Sequence, residues 1–336
     1  MIENIILNME KTTGSLWLIL LPMLISFCVT AILGPVLIPW LHRLKFGQEI
    51  LEIGPNWHKK KAGTPTMGGI MFIVGVAVSM IVALFAEGMN IRLLMILLIA
   101  FGFGLFGFLD YYVKVVKKRN LGLSAKQKFA LQAILSIIYL IVLKETGNLD
   151  NEIIIPFFDI QFGMPWWTYI IFILFVVTGT VNSVNLTDGL DGLAASVTSV
   201  VSEFFVVAAS FVGDKAAVYF SLALFGGCIA FLLFNKHPAK VFMGDTGSLF
   251  LGGAISVLAI GLKMPLVLII AGFVYLAEAL SVIIQVTSYK LTKKRIFKMA
   301  PIHHHFEMCG WKEVKIVTLF TLVTITLCIV AYLAIL

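Results

Sequence analysis

Long apolar runs separated by short polar segments recur along the whole of this sequence. Each run is long enough to cross a hydrocarbon layer about 30 Å thick as an α-helix. The runs are continuous and do not alternate, which excludes an outer-membrane β-barrel. The pattern predicts ten spans, at about 15–40, 69–86, 91–109, 127–143, 167–184, 193–213, 216–234, 247–262, 264–288 and 315–336.

Composition agrees with this pattern. Of 336 residues, 60% are hydrophobic and 13% are charged, whereas a soluble domain is about half apolar and a quarter charged. We therefore expect an all-α, polytopic membrane protein that forms a single integral membrane domain over residues 1–336. The first run begins near Ser15 and lacks a small-residue cleavage site, which favours a retained helix over a signal peptide. The four cysteines stand apart, which favours neither a zinc site nor a disulfide framework.

Basic residues collect on one side of the predicted spans. Twenty of the 25 Lys and Arg residues lie in or beside four loops, at about 41–68, 110–126, 235–246 and 289–314. Because spans alternate in direction, these loops share a side with the loop at 185–192. The positive-inside rule makes that side cytoplasmic and both termini extracytoplasmic. The acidic segment at 145–166 lies on the other side, where we expect a small hairpin.

A polar stretch at 182–193 separates two of the predicted spans. Its Asn and Asp residues recur every three positions, at Asn182, Asn185, Asp188 and Asp191. Gly189 and Gly192 predict that the helix ends near Thr187 and that the chain turns back. Either this is an ordinary turn rich in Asn, Asp and Gly, or it gathers amide and carboxylate oxygens at the membrane surface.

Four further polar stretches fall on the predicted cytoplasmic side: 61–69 (KAGTPTMGG), 108–114 (FLDYYVK), 234–248 (FNKHPAKVFMGDTGS) and 301–307 (PIHHHFE). Lys61 and the hydroxyls before a helix form either an anion site or a flexible linker. Asp110 is either functional or merely interfacial, and Asp245 is either a ligand or a helix N-cap. The three adjacent histidines favour phosphate or sugar contacts over zinc, because neighbours on a helix point in different directions.

These stretches together offer carboxylates, amides, lysines and imidazoles, without a thiolate cluster. Oxygen-rich ligand sets suit Mg²⁺, and Mg²⁺ with Lys side chains stabilises charge on phosphoryl groups. Neither a GxxxxGK[ST] P-loop nor a GxGxxG motif is present. The residues therefore predict Mg²⁺-assisted chemistry on a phosphate ester at the inner membrane surface, with a lipid as one substrate.

The stretches at 61–69, 182–193, 242–249 and 301–307 resemble, in that order, the phospho-N-acetylmuramoyl-pentapeptide transferase family. This family belongs to the polyprenyl-phosphate N-acetylhexosamine-1-phosphate transferases. The resemblance implies that phospho-MurNAc-pentapeptide passes from UDP-MurNAc-pentapeptide to undecaprenyl phosphate, with release of UMP. It also implies Mg²⁺ as cofactor, ten transmembrane helices, a bacterial plasma-membrane location, cytoplasmic chemistry, a homodimer and no nucleic-acid partner.

The resemblance assigns roles residue by residue. Asp110 is the implied base or positioner for the lipid phosphate, Asp245 is the implied Mg²⁺ ligand, and Asp188 and His303 complete the implied catalytic set. The 182–191 loop is expected to shape the nucleotide and pyrophosphate site, the histidines to contact the sugar phosphate, and Gln285 to lie near the uracil. The implied substrate-binding residues are Lys61, Thr66, Lys114, Lys128, Asn182, Asn185, Leu186, Asp188, Gly189, Asp191, Asn235, Phe242, Gln285, His303, His304 and His305.

One position departs from the family pattern. Tyr111 stands where the family has the second aspartate of an Asp-Asp-Tyr motif. A neutral phenol, with a pKa near 10, does not supply the negative charge of a carboxylate. Either the second carboxylate is dispensable or this chain is impaired.

Two other functions and two mechanisms stay open. A related transferase would use UDP-GlcNAc, and an ion-coupled transporter would need paired charges in mid-membrane. Glu203 and Glu278 lie within predicted spans without a cationic partner at helical spacing, so we interpret them as structural or interface groups. The transfer proceeds either in one step, by attack of the lipid phosphate on the β-phosphorus, or through a phosphorylated Asp110 or Asp245.

Overall fold

Helices account for nearly all of the described fold. The computed structural model describes residues 16–44, 61, 63–88, 90–116, 122–147, 151–158 and 160–335. The helices there are α1 (Leu16–Arg43), α2 (Gly69–Glu87), α3 (Ile91–Val116), α4 (Ala125–Glu145), α5 (Trp166–Thr187), α6 (Leu193–Val212), α7 (Lys215–Asn235), α8 (Gly244–Gly261), α9 (Leu268–Ala271), α10 (Phe273–Thr292), α11 (Ile302–Met308) and α12 (Glu313–Leu333). A 3₁₀ helix at Pro265–Val267 precedes α9, and the strands β1 (Glu152–Ile155) and β2 (Ile160–Gly163) follow α4.

The predicted all-α membrane architecture is confirmed. Within the described ranges, nine helices are long and apolar enough to cross a membrane, and a bent pair brings the number of spans to ten. In that pair the segment Pro265–Ala271 meets α10 at an angle of 84°. The sequence predicted one continuous span at 264–288, whereas the structure interrupts it at Gly272, a residue type that often marks sharp helix bends.

Helix α8 lies at the centre of the bundle. Of its most apolar 18-residue window, 89% is buried, against 28% for α1. Close packing around α8 depends on glycine, since a Cβ on Gly252 would lie 2.6 Å from the Cα of Val181 in α5. A Cβ on Gly107 of α3 would overlap the carbonyl oxygen of Asp245. Small residues at such crossings let helix backbones approach closely.

The hairpin predicted at 145–166 is confirmed. Strands β1 and β2 pair antiparallel, with Glu152 opposite Gly163. The hairpin lies against the end of α8, because the amide of Ile154 donates to the carbonyl of Lys263 at 2.9 Å. Arg92 forms an ion pair with Asp214 at this same end of the bundle.

The polar loops lie at the opposite end of the bundle from the hairpin. Helix α5 ends at Thr187 as predicted, and Gly192 then adopts a left-handed conformation with φ of 80° before α6 begins. Helix α3 continues to Val116, so Asp110 lies within a helix and not at the start of the loop expected at 110–126. Asp245 lies in the first turn of α8, and the N-cap is Met243, so the N-cap interpretation of Asp245 is wrong.

Candidate functional site

A cluster of charged residues joins three loops to the start of α12. The Nζ atom of Lys61 lies 2.6 Å from Oδ1 of Asp191 and 2.7 Å from Oε1 of Glu313. Nδ1 of His237 lies 3.0 Å from Asp191 and 3.2 Å from Glu313. The amide of Ala239 also donates to Asp191, at 3.0 Å. We call Lys61, Asp191, His237 and Glu313 the Lys61 cluster.

The environment of the Lys61 cluster shifts the pKa of two of its members. Burial lowers the pKa of the Lys61 ammonium, but hydrogen bonds to Asp191 and Glu313 more than offset this and hold it above its ordinary value. Burial raises the pKa of Asp191, but its contacts with Lys61 and with the amide of Ala239 outweigh that effect and lower it. Both groups are therefore held in their charged forms.

Asp188 experiences the opposite environment. Burial, followed by the negative charges of Asp245 and Asp191, raises the pKa of its carboxyl group well above the ordinary value, and Lys61 opposes the shift only in part. The carboxyl groups of Asp188, Asp191 and Asp245 thus lie close together, where α5 ends and α8 begins. Bringing a divalent cation to such a group relieves the repulsion.

Asn185 connects this region to α8. Its Nδ2 atom donates to Oδ1 of Asp245 at 3.0 Å and to Oγ of Ser248 at 2.7 Å. Asn182, one turn earlier in α5, donates to Oε1 of Gln132 in α4 at 3.2 Å. The two asparagines therefore bond to two different neighbouring helices, α4 and α8.

Asp110 lies beside the same region on α3 and is only 1% exposed. Its Oδ2 atom lies 2.7 Å from Nζ of Lys128, and its Oδ1 atom accepts from the amide of Leu123 at 2.7 Å. Gly107, one turn before Asp110, packs against the backbone of Asp245. The close α3–α8 crossing thus brings the helix face that carries Asp110 to the start of α8.

The segment around Thr66 is bonded to the segment before α8. The amide of Phe242 donates to the carbonyl of Pro65 at 2.9 Å, and the amide of Gly68 donates to Phe242 at 2.8 Å. Thr66 is buried between them. Asn235 ties the same segment to the 185–192 loop, because it accepts from Gly192 at 3.0 Å and donates to Val241 at 2.8 Å.

The three histidines point in different directions, as predicted. Nδ1 of His303 lies 3.0 Å from Oε2 of Glu278 in α10, and its Nε2 atom faces Gly189. Nδ1 of His304 lies 2.6 Å from Oε2 of Glu307. His305 accepts from the amide of Lys298 at 3.1 Å. His303 thus lies directly against the 185–192 loop.

Three predicted site residues have no contact described above: Gln285, Leu186 and Lys114. Gln285 uses its side chain to bind the backbone of Ile296 and Phe297. Leu186 is half-buried at the end of α5. The side chain of Lys114 lies outside the described part of the chain. The ligand contacts expected of all these residues stay predictions.

Sequence reasoning missed Glu313, His237 and the partner of Glu278. Glu313 stands in the first turn of α12, where a carboxylate is favoured by the helix dipole alone. Its pairing with Lys61 spans 252 positions along the chain. Glu278 was expected to lack a cationic partner at helical spacing. The structure places the imidazole of His303, from α11, 3.0 Å from its Oε2 atom.

Two places could hold a metal ion. The donor atoms of Asp191, His237 and Glu313 all lie within 4.8 Å of one another. Lys61 already brings a cation to both of those carboxylates, so a divalent ion there would compete with it. Asp188 and Asp245 are the second candidate, because burial, and after it the negative charges of Asp245 and Asp191, raises the pKa of Asp188.

The chain matches two sequence models of known families. The model for Glycosyl transferase family 4 matches residues 93–263. A second, for phospho-N-acetylmuramoyl-pentapeptide-transferase signature 1, matches residues 61–73. The first match contains Asp110, Lys128, Asp188, Asp191 and Asp245, which lie at one end of a multi-pass helical bundle. These features define a polytopic membrane protein of the family 4 transferase class.

Similar curated proteins identify the family within this transferase class. The phospho-N-acetylmuramoyl-pentapeptide-transferase of Acetivibrio thermocellus is 49% identical over 93% of this chain and 93% of its own length. Those of Clostridium botulinum and Oceanobacillus iheyensis are 48% and 45% identical over 94% and 91% of this chain, and over 96% and 94% of their own lengths. The chain therefore belongs to the phospho-N-acetylmuramoyl-pentapeptide transferase family.

Proposed function

We propose that this chain transfers phospho-MurNAc-pentapeptide from UDP-MurNAc-pentapeptide to undecaprenyl phosphate, producing the first lipid-linked peptidoglycan intermediate and UMP. The observation that carries the proposal is the meeting of Asp188, Asp191 and Asp245 with Lys61 at one end of the helical bundle. Names of relatives that align with nearly the whole chain favour this substrate over UDP-GlcNAc. A membrane-embedded site also suits a lipid acceptor.

In the proposed reaction an oxygen of the lipid phosphate attacks the β-phosphorus of the UDP-sugar. The bond from that phosphorus to the bridging oxygen breaks, and its electrons leave with UMP. Asp110, held by Lys128 and the amide of Leu123, positions the lipid phosphate. Asn185 orients Asp245, and the Lys61 cluster fixes the 185–192 loop that borders the diphosphate.

The carboxylates fit a hard divalent cation. Burial, together with the negative charges of Asp245 and Asp191, raises the pKa of Asp188, and oxygen donors are what Mg²⁺ prefers. Asp245, with Asp188 beside it, would hold Mg²⁺, which supplies positive charge to the diphosphate. The Asp191–His237–Glu313 group is the less suitable place, because Lys61 occupies it.

The direct test is a reconstituted assay. Purified chain with UDP-MurNAc-pentapeptide and undecaprenyl phosphate should release UMP, lose activity in EDTA and regain it with Mg²⁺. UDP-GlcNAc in place of the muramoyl substrate should give little UMP. Equal rates with both sugars, or turnover insensitive to EDTA, would contradict the proposal.

Single substitutions test whether Asp245 holds Mg²⁺. Asp245→Asn should abolish Mg²⁺-dependent turnover while the protein keeps its melting temperature. Glu152→Gln removes a carboxylate from the hairpin at the other end of the bundle and should leave turnover unchanged. A labelled phosphoryl group trapped on Asp110 or Asp245 would favour the two-step route over direct attack.

We further infer that the candidate site faces the cytoplasm of a bacterial plasma membrane and that the chain forms a homodimer. Cys309, exposed between α11 and α12, reports the side of the candidate site. A membrane-impermeant maleimide should label it in inside-out vesicles and spare it in right-side-out vesicles. The reverse pattern would overturn the orientation, and a monomeric mass in detergent would contradict the dimer.

A further inference from the structure

Glu278 is a carboxylate with no exposed surface, on a helix of membrane-spanning length. Burying an ionised carboxylate is costly unless a partner compensates it. The described structure supplies that partner from a different element, because Oε2 of Glu278 lies 3.0 Å from Nδ1 of His303. The backbone amide of His303 also points to this oxygen, at 3.5 Å.

The other side of the same imidazole ring faces the candidate site. A Cβ on Gly189 would collide with Nε2 of His303, so this nitrogen lies directly against the loop that carries Asp188. His303 is 1% exposed, and neither of its ring nitrogens meets the geometry of a hydrogen bond among the residues that the structure describes. Nδ1 lies within ion-pair distance of Glu278, whereas Nε2 faces the loop at Gly189. A buried polar atom without a partner calls for an explanation, and a substrate group that bonds to Nε2 would supply one.

The orientation of the His303 imidazole relative to Glu278 decides which ring nitrogen carries the proton. A carboxylate opposite Nδ1 favours the tautomer with hydrogen on Nδ1, which leaves the lone pair on Nε2. A carboxylate in this place also holds the ring plane and raises the basicity of the other nitrogen, as carboxylates behind metal-bound histidines do. Glu278 is therefore suited to act on the 185–192 loop through His303.

We propose that Glu278 is a positioning residue, which fixes the ring plane and the Nδ1–H tautomer of His303 so that Nε2 is presented to a polar group of the substrate beside Gly189. This inference rests on the proposed function, since it assigns the substrate of that reaction to Nε2. Glu278 itself does not touch the substrate and exchanges no proton with it. Its whole effect passes through the imidazole.

The tautomer can be measured directly. The chain has six histidines, so ¹⁵N-histidine labelling with His303→Gln as the assignment variant isolates the ring signals of His303. In the wild-type chain the proton should be found on Nδ1, and Glu278→Gln should redistribute it. A wild-type ring with its proton on Nε2 alone would overturn the proposal, whether or not Glu278→Gln folds.

Kinetics separate positioning from structural support. Glu278→Gln should lower kcat for UMP release about 10–100-fold with little change in KM, and Glu278→Asp should recover part of the loss. In a His303→Gln background, Glu278→Gln should lower kcat less than about twofold. The reason is that Glu278 acts on the substrate only through the imidazole of His303, which this background lacks. Glu203→Gln neutralises an exposed carboxylate in α6 and should leave kcat unchanged.

The outcomes distinguish this inference from the function on which it rests. If the wild-type chain releases no UMP, the proposed function fails, while the tautomer measurement still decides the role of Glu278. If the wild-type chain is active and Glu278→Gln costs less than about twofold, the positioning role is refuted. Full additivity of the two substitutions would refute it as well.

Discussion

Removing the charge of Lys61 should open the 185–192 loop without unfolding the bundle. The Lys61 side chain is 18% exposed, and its partners Asp191 and Glu313 are 3% and 10% exposed. Breaking a buried ion pair by deleting one partner costs about 3–5 kcal/mol. We take the lower end, about 3 kcal/mol, for Lys61→Met, because the ammonium keeps some contact with water. That cost corresponds to roughly 100-fold more frequent opening of the loop.

A second substitution should reverse part of this effect. In Lys61→Met the carboxylates of Asp191 and Glu313 face each other without the ammonium between them. Adding Glu313→Gln removes one of the two negative charges and keeps an oxygen for the amide of Asp191. The double variant should therefore open about tenfold less often than Lys61→Met.

Hydrogen exchange followed by mass spectrometry measures these openings in peptides covering residues 185–192. Lys240→Met removes an exposed lysine from the neighbouring loop and should leave exchange there unchanged. The reasoning is refuted if Lys61→Met exchanges like wild type, or if the double variant exchanges faster than the single one.

The two shifted groups of the Lys61 cluster also set the pH range of this protection. The pKa of Asp191 is lowered, so its contribution is complete above about pH 4 and is lost as the pH falls further. The pKa of Lys61 is raised, so its contribution is complete below about pH 10 and is lost as the pH rises further. Exchange corrected for its intrinsic pH dependence should therefore rise below the lower limit and above the upper one.

Three further substitutions test separate parts of the site. Asp188→Asn should keep or raise the melting temperature in EDTA at neutral pH, because a raised pKa means that the ionised carboxylate opposes folding above its ordinary pKa; a clear fall would contradict this. Tyr111→Asp should leave UMP release equal or higher, and a large loss would show that this position does not prefer a carboxylate. Gly107→Ala should lower turnover at least tenfold, because its Cβ would overlap the backbone of Asp245. Gly102→Ala is its control, since that Cβ would meet only the flexible end of Leu135; equal effects of the two would contradict the account.

The sequence by itself determined the spans and the polar stretches. Apolar runs of membrane length form helices because lipid offers backbone groups no other hydrogen-bond partner. Each span can therefore be recognised from its own stretch of sequence. The helix end at Thr187 followed from the glycines after it, since Gly192 takes a backbone conformation that other residues avoid. The short motifs marked Asp188, Asp245 and His303 without any knowledge of their contacts.

The tertiary structure alone decided which charges meet. Lys61 and Glu313 are 252 positions apart, and Glu278 and His303 are 25 positions apart. Such pairs depend on which helix ends pack together, and a hydrophobic pattern carries no information about that beyond its own helix. The bend at Gly272 was decided in the same way, because a glycine permits a break without requiring one and the packing of neighbouring helices selects it.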